Sequence, residues 1–236
     1  MPQLWNHNNE LDDLACQSLK MIAYEFIKYL NTIIGLPITH SDVYDVYIHG
    51  SCTNYYWDEH SDIDLCIVAN LTELRKKMNG INEEQLFNSL VSSWRRNFRI
   101  RIYGRRVDIK LKDKHDRENQ ITPIAGCHYS LFQNEWTIPV IRLSAPELKQ
   151  LKRDAYRKYR VIMRQCKYLI KHNMSADFIN AYLVELRTLR QFYMLDYAHQ
   201  PITSYAIAYK AARNTGIFNK LYRMARQDQS KKYHLV

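Results

Sequence analysis

The chain has 236 residues, of which 46% are hydrophobic, and it carries a formal net charge of +10. It is long enough for one large or two modest domains, contains no apolar run of bilayer length, and begins with the polar stretch MPQLWNHNNELDD, which argues against a signal or transit peptide. The five cysteines form no CxxC pair, so we expect neither a disulfide framework nor a zinc site. We therefore expect a cytoplasmic protein in a reducing compartment, and from the lack of a long apolar run we expect no membrane partner.

The first elements predicted along the chain are a helix, two strands and the turn between the strands. Apolar residues at helical spacing predict a helix over 10–33, which ends at the sequence GLP. A short strand follows at Tyr44–Ile48, and Gly50-Ser51 opens a turn that is predicted to continue as a short helix through Tyr56. Residues 61–69 alternate between apolar and polar side chains, which indicates a second strand.

A helix and a hairpin are predicted next. NEEQ opens a helix over 83–97, and FRIRIYGRRVDIKL alternates on both sides of a turn at Tyr103-Gly104-Arg105. Short strand or loop pieces are expected around Tyr129–Leu131 and Trp136–Ile141.

The remaining sequence predicts a helical part. SAPE is a capping box with Ser144 as N-cap, and the helix behind it runs to about Lys171. Further helices are predicted at 176–198, 203–214 and 216–228.

Charge changes at the same place as the predicted architecture. Residues 1–143 carry 16 Lys+Arg against 18 Asp+Glu, whereas residues 144–236 carry 18 against 6. We therefore predict two domains, 1–143 and 144–236, with the sheet in the first and a basic helical fold in the second. A basic domain favours a polyanionic partner, most often nucleic acid.

Three aspartates suggest a site for divalent metal ions. Asp62 and Asp64 share one face of the predicted strand, where two carboxylates repel each other unless a cation lies between them. Asp108 stands on the polar face of a later strand and is the candidate third ligand. Oxygen ligands suit Mg²⁺, and two such ions can serve phosphoryl displacement. The alternative for Asp108 is a surface carboxylate paired with Arg106 or Lys110.

The Gly50-Ser51 pair fits the phosphate side of such a site. Glycine allows a phosphate to approach the backbone closely, and the Ser51 hydroxyl with the N–H groups of the following turn forms a small anion site.

The order of these motifs along the chain resembles that of the DNA polymerase β-type nucleotidyltransferase superfamily: Gly50-Ser51, then Asp62-Ile63-Asp64, and later Asp108. The likeness covers about residues 44–112, and other segments are similar to small predicted nucleotidyltransferases of bacteriophages. It implies an α/β (α+β) fold, in which a small mixed β-sheet forms the nucleotidyltransferase core and an α-helical C-terminal domain follows. It also implies that Gly50 and Ser51 bind the triphosphate of an NTP, and that Asp62, Asp64 and Asp108 are catalytic and hold two Mg²⁺ (or Mn²⁺) ions.

The expected reaction moves an NMP from an NTP to an acceptor hydroxyl and releases pyrophosphate. The basic second half favours a nucleic-acid acceptor, such as an RNA 3′ end. A cyclic-nucleotide or dinucleotide synthase of antiviral-signalling type remains an alternative. So does a catalytically inactive nucleotidyltransferase-like nucleic-acid binder or antitoxin.

A basic helix face is the candidate nucleic-acid or phosphate contact. Six cations follow a spacing of four and three residues, which places them on one face: Arg153, Arg157, Arg160, Arg164, Lys167 and Lys171. Tyr156, Tyr159 and Tyr168 are interleaved with them and either stack on bases or pack between helices. The face could instead be merely solvated or hold the incoming triphosphate. Lys210 and Arg213 form a second candidate pair for phosphate.

Overall fold

A computed structural model describes residues 3–35, 38–53, 57–58, 61–72, 76, 83–115, 127–139, 143–196 and 203–233. These residues form a mixed six-stranded sheet and several α-helices, which confirms the predicted α+β class. The chain divides into two compact units, Met1–Val140 and Ile141–Val236, where the sequence predicted a boundary at 143/144. No described helix is both long and apolar enough to cross a membrane.

The first unit contains the sheet. Its strands are β1 (Val43–His49), β2 (Ile63–Ala69), β3 (Arg101–Ile102), β4 (Arg105–Asp113), β5 (His128–Ser130) and β6 (Glu135–Ile138). They lie in the order β3-β4-β2-β1-β5-β6, with β2 and β4 parallel and the other neighbours antiparallel. Parallel neighbours need a crossover connection. Here the connection between β2 and β4 contains helix α2 (Glu83–Asn97).

One face of this sheet is apolar and belongs to the main core. Leu65 of β2 is fully buried there, together with Phe26 of helix α1 (Asp13–Ile34) and Trp94 of α2. Because successive strand residues point to opposite faces, the alternate residues of β2 and β4 line the other face. Asp64 and Asp108 are among them, so the core packing of the first face positions both carboxylates on the second.

The second unit is helical. Its helices are α3 (Ala145–Lys171), α4 (Ala176–Asp196), α5 (Ser204–Asn214) and α6 (Ile217–Tyr233). The predicted capping box is present at the start of α3, where the Ser144 hydroxyl accepts a hydrogen bond from Glu147 N and the Glu147 carboxylate accepts one from Ser144 N. Ile162 and Cys166 of α3 pack with residues of α4, α5 and α6 in a separate core.

Three local predictions need correction. The strand predicted over 61–69 begins only at Ile63, so Asp62 precedes β2 and is not part of the strand face that carries Asp64. The hairpin strand was expected to begin at Phe98, but Phe98 N donates to Trp94 O and so remains bonded to α2, and β3 is only Arg101–Ile102. The last helix was expected to end at residue 228 but continues to Tyr233. The predicted stretches at 54–56, 140–141 and 197–198 lie outside the described residues.

Candidate active site

Asp64 and Asp108 lie side by side on adjacent parallel strands. Asp64 of β2 is in register with Asp108 of β4, so the two side chains project from the same face of the sheet. Their side chains retain 28% and 22% exposure, so a ligand can reach both. Asp62 precedes β2 and is exposed. The structure thus brings Asp64 and Asp108 together and leaves Asp62 at the solvent edge of the same region.

Protein cations approach both carboxylates. Arg95 Nη2 is 3.3 Å from Asp108 Oδ2, and Arg106 Nε is 3.3 Å from Asp108 Oδ1. Lys110 Nζ is 3.9 Å from Asp64 Oδ1. The pairing of Asp108 with Arg106 was the alternative that the sequence left open, and it is present. The sequence did not predict Arg95 as a neighbour of Asp108, because Arg95 lies on helix α2 and no local sequence pattern links it to strand β4.

Asp64 occupies an unfavourable environment for a negative charge. Its pKa is raised, first because burial disfavours the charged form and also because Asp108 and Asp62 repel it. Lys110 and Arg95 act in the opposite direction. The net direction shows that the neighbouring cations do not fully compensate this carboxylate, which is the situation that an added cation would relieve.

The backbone of Gly50 packs directly against the Asp64 carboxylate. A Cβ atom at Gly50 would lie 2.3 Å from Asp64 Oδ2, far inside contact distance, and the residue has a φ of +82°. Both the close approach and the left-handed backbone require glycine here. The Gly50-Ser51 turn therefore lies immediately beside Asp64, which forms a row of carboxylates with its in-register neighbour Asp108. We call these two residues the carboxylate row.

The turn is anchored from outside. Thr53 Oγ1 lies 2.9 Å from Gly50 O and 2.7 Å from Cys127 O, and Trp5 Nε1 donates to Cys52 O at 3.0 Å. Ser51 is half-buried, and its hydroxyl has no hydrogen-bond partner in the part of the chain that the structure describes. A fixed turn that presents an uncommitted hydroxyl is suited to bind an external oxygen ligand.

His49 of β1 lies next to Asp64, on the side of β2 that faces away from Asp108. It is in register with Asp64 across β1 and β2 and only 5% exposed, yet neither ring nitrogen has a hydrogen-bond partner among the described residues. Burial lowers the pKa of His49 to about 2, with further repulsion from Lys110, His128 and Lys112. The sequence signal was its position directly before Gly50, but a lone histidine is more often structural.

We expect acidification to destabilise the protein through His49. The unfolded state has a His pKa near 6.5 and binds the proton that the native state refuses, so lowering the pH from about 7 to about 5 should remove about 2 kcal/mol of unfolding free energy. In His49→Leu this contribution should vanish, and stability at pH 7 should not fall because leucine has no ring nitrogens that need a hydrogen-bond partner at this buried position. Urea denaturation at both pH values measures the effect.

The control for this experiment is His7→Leu, which removes an exposed imidazole and should retain the wild-type pH dependence. If His49→Leu kept the full loss of stability on acidification, the buried neutral state of His49 would be ruled out.

The carboxylate row fits a divalent cation by its donor chemistry. Among the described residues, no three His, Cys, Asp or Glu side chains are gathered as a ready metal site. However, Asp108 Oδ1 forms no hydrogen bond with any described residue, although Arg106 Nε lies 3.3 Å away, and Asp64 Oδ2 lies directly against the Gly50 backbone. Carboxylate oxygens are the ligands that Mg²⁺ prefers. The ion pairs of Arg106 and Lys110 are long and half-exposed, so a metal could replace them.

The second group of predicted site residues lies in the helical unit. All six cations of the predicted face of α3 are exposed: Arg153, Arg157, Arg160, Arg164, Lys167 and Lys171. On α5, Lys210 is half-buried and Arg213 is exposed in the last turn. Lys210 and Arg213 thus share one helix, whereas the six cations of α3 form a continuous basic face.

Comparisons with family models, with curated proteins and with solved structures found no match for this chain.

Proposed function

We propose that the protein is a metal-dependent nucleotidyltransferase that moves an NMP from an NTP to an acceptor hydroxyl and releases pyrophosphate. The observation that supports this best is the register of Asp64 with Asp108, with the Gly50 backbone packed against Asp64. Two carboxylates and a glycine turn thus lie together at one end of β2. The raised pKa of Asp64 is a property that functional carboxylates share, and it supports the same proposal.

In this proposal Asp62, Asp64 and Asp108 hold two Mg²⁺ or Mn²⁺ ions. When bound, such ions stabilise the charge that develops on the attacking and leaving oxygens of a phosphoryl transfer. Gly50 and Ser51 bind the triphosphate, with the Ser51 hydroxyl donating to a phosphate oxygen. Arg95 orients the Asp108 carboxylate from the side of α2.

The reaction is a substitution at the α-phosphorus. The acceptor oxygen forms the new bond to phosphorus, the bond to the bridging oxygen of the β-phosphate breaks, and pyrophosphate leaves with the electron pair. Asp108 accepts the proton of the acceptor hydroxyl, since Asp64 packs against Gly50 and so lies on the side of the proposed phosphate turn. The positive charge of the second unit favours a nucleic-acid acceptor, an RNA 3′ end in particular.

A catalytically inactive nucleic-acid binder or antitoxin is the second candidate. It is favoured by one observation, namely that Arg95 and Arg106 already neutralise Asp108. In such a protein the arginines would replace the metal ions permanently, and the basic helices would carry the function.

The test is incubation of the full chain with each labelled NTP, with Mg²⁺ or Mn²⁺, and with total RNA. We expect label in polymeric RNA on a denaturing gel. Label in a small cyclic or dinucleotide product on thin-layer chromatography would instead identify a nucleotide synthase. Absence of any product, together with absence of metal-dependent thermal stabilisation by NTP, would exclude the enzyme and leave the inactive binder.

A further inference from the structure

The basic face of α3 contains a groove lined by cations and tyrosines. The groove has a volume of about 630 Å³, within the range of ligand-binding clefts. Its lining includes Tyr156, Arg157, Tyr159, Arg160, Arg164 and Lys167, and no acidic residue among those described. Arg153 and Lys171, the two ends of the same basic face, do not line it. The groove therefore lies along the middle of α3.

Among the described residues, the groove cations have at most one exposed ion pair to neutralise them. Arg157 is 3.6 Å from Asp154, but the arginine side chain is 71% exposed, where an ion pair contributes little. Arg160, Arg164 and Lys167 form no ion pair with any residue of the described part of the chain. Like charges spaced by one helical turn destabilise a helix slightly, so this arrangement favours an anionic ligand.

Two tyrosines give the groove flat apolar surfaces. The rings of Tyr156 and Tyr159 lie 6.5 Å apart between centroids with their planes inclined by 27°. Tyr156 is 61% exposed, so its ring is accessible to a ligand. Exposed aromatic faces beside cations are the combination that binds single-stranded nucleic acid, because phosphates meet the cations while bases stack on the rings.

A duplex fits this groove less well, since its bases already stack on each other and offer no free face. A triphosphate alone would use the cations but leave the tyrosines without a role. The cations from Arg157 to Lys167 span about 15 Å along the helix, which corresponds to a few nucleotides.

We propose that the α3 groove binds a short stretch of single-stranded nucleic acid, with phosphates on Arg160, Arg164 and Lys167 and a base on Tyr156. The groove would then hold the acceptor strand, and in that respect the inference rests on the proposed function. Binding itself needs no catalysis, so the two can be tested separately.

The experiment measures binding of a fluorescent single-stranded RNA of about 12 nucleotides by anisotropy over a series of salt concentrations. Arg160→Ala/Arg164→Ala/Lys167→Ala should weaken binding by at least about 10-fold and reduce the salt slope by about 2. The control Lys152→Ala/Arg153→Ala/Lys171→Ala removes the same charge from the same helix outside the groove, and should lose less than about 3-fold. Equal losses in both variants would overturn the groove and leave only a diffuse basic surface.

A second pair of variants tests the tyrosine. Tyr156→Ala should weaken binding of the single strand by about 10-fold without changing the salt slope, because stacking releases no counterions. Tyr168→Ala is the matched control, since Tyr168 is also exposed on α3 but lies outside the groove. Wild-type affinity in Tyr156→Ala would overturn base stacking, and equal affinity for a duplex of the same sequence would overturn single-strand selectivity.

Two further measurements separate this inference from the proposed function. Asp64→Asn should bind the single strand with wild-type affinity even if it is inactive. Competition of Mg²⁺–NTP with the labelled RNA would show that the groove is the triphosphate site, and would overturn the inference.

Discussion

Asp64→Asn is expected to abolish nucleotidyl transfer without weakening the fold. The variant removes the charge that we assign to metal binding, and losing several kcal/mol of transition-state stabilisation corresponds to at least about a 10³-fold slower reaction. The fold should not suffer, because burial and the nearby Asp108 and Asp62 raise the pKa of Asp64, so its ionised form destabilises the native state. We therefore expect a melting temperature at pH 7 equal to or above that of the wild type.

The pH dependence supplies the sign of this effect. When a carboxyl has a raised pKa in the native state, the protein loses stability as the pH rises from the unfolded-state pKa through the native-state pKa of that group. The stability gained by Asp64→Asn should therefore appear at neutral pH and disappear in acid. Asp13→Asn is the control, since Asp13 is an exposed carboxylate in the first turn of α1 and is not part of the proposed site. It should leave transfer activity unchanged and should not raise the melting temperature at neutral pH. Full transfer activity in Asp64→Asn would contradict the mechanism, whereas inactivity with a lowered melting temperature would contradict the electrostatic argument.

Among the glycines for which the contacts of an added Cβ atom are known, Gly50→Ala is expected to destabilise the protein most. A left-handed backbone costs about 1–2 kcal/mol for a residue with a Cβ atom. At Gly50 that atom would also lie 2.3 Å from Asp64 Oδ2, so the turn or the carboxylate must move. Urea denaturation should therefore show a loss clearly above the backbone cost, and NTP binding should be lost with it.

Gly104→Ala separates the two causes. Gly104 lies in the hairpin turn with a φ of +74°, and a Cβ atom there would meet nothing within 4 Å. It should lose only the backbone contribution, about 1–2 kcal/mol. Equal losses for the two glycines would show that the close approach to Asp64 has no energetic weight.

A double-mutant cycle then locates the clash. Asp64→Ala removes the oxygen that the new Cβ atom would meet, so it should restore part of the stability that Gly50→Ala loses. Asp64→Asn keeps the size of the side chain and should restore much less. No coupling in the alanine cycle would mean that Gly50 acts through the turn alone.

The sequence by itself determined the local features of this protein. The helix of α2 over 83–97, the capping box at Ser144 and the strand β2 follow from the periods of helix and strand and from cap chemistry, which act within a few residues. The same periods place Asp64 on the face of its strand opposite Ile63 and Leu65, and six cations on one face of α3. These features need no knowledge of distant partners, because each depends only on neighbours along the chain.

Only the tertiary structure decided which of these features meet. The register of Asp64 with Asp108 depends on how β2 and β4 pack against the core, and the approach of Arg95 depends on where α2 crosses between them. The contact of Gly50 with Asp64 arises in the same way, and so does the burial of His49 without a hydrogen bond from the described residues. Contacts between strands far apart in the chain have no local pattern, since register is set by burial of the whole apolar face and not by the residues that it brings together.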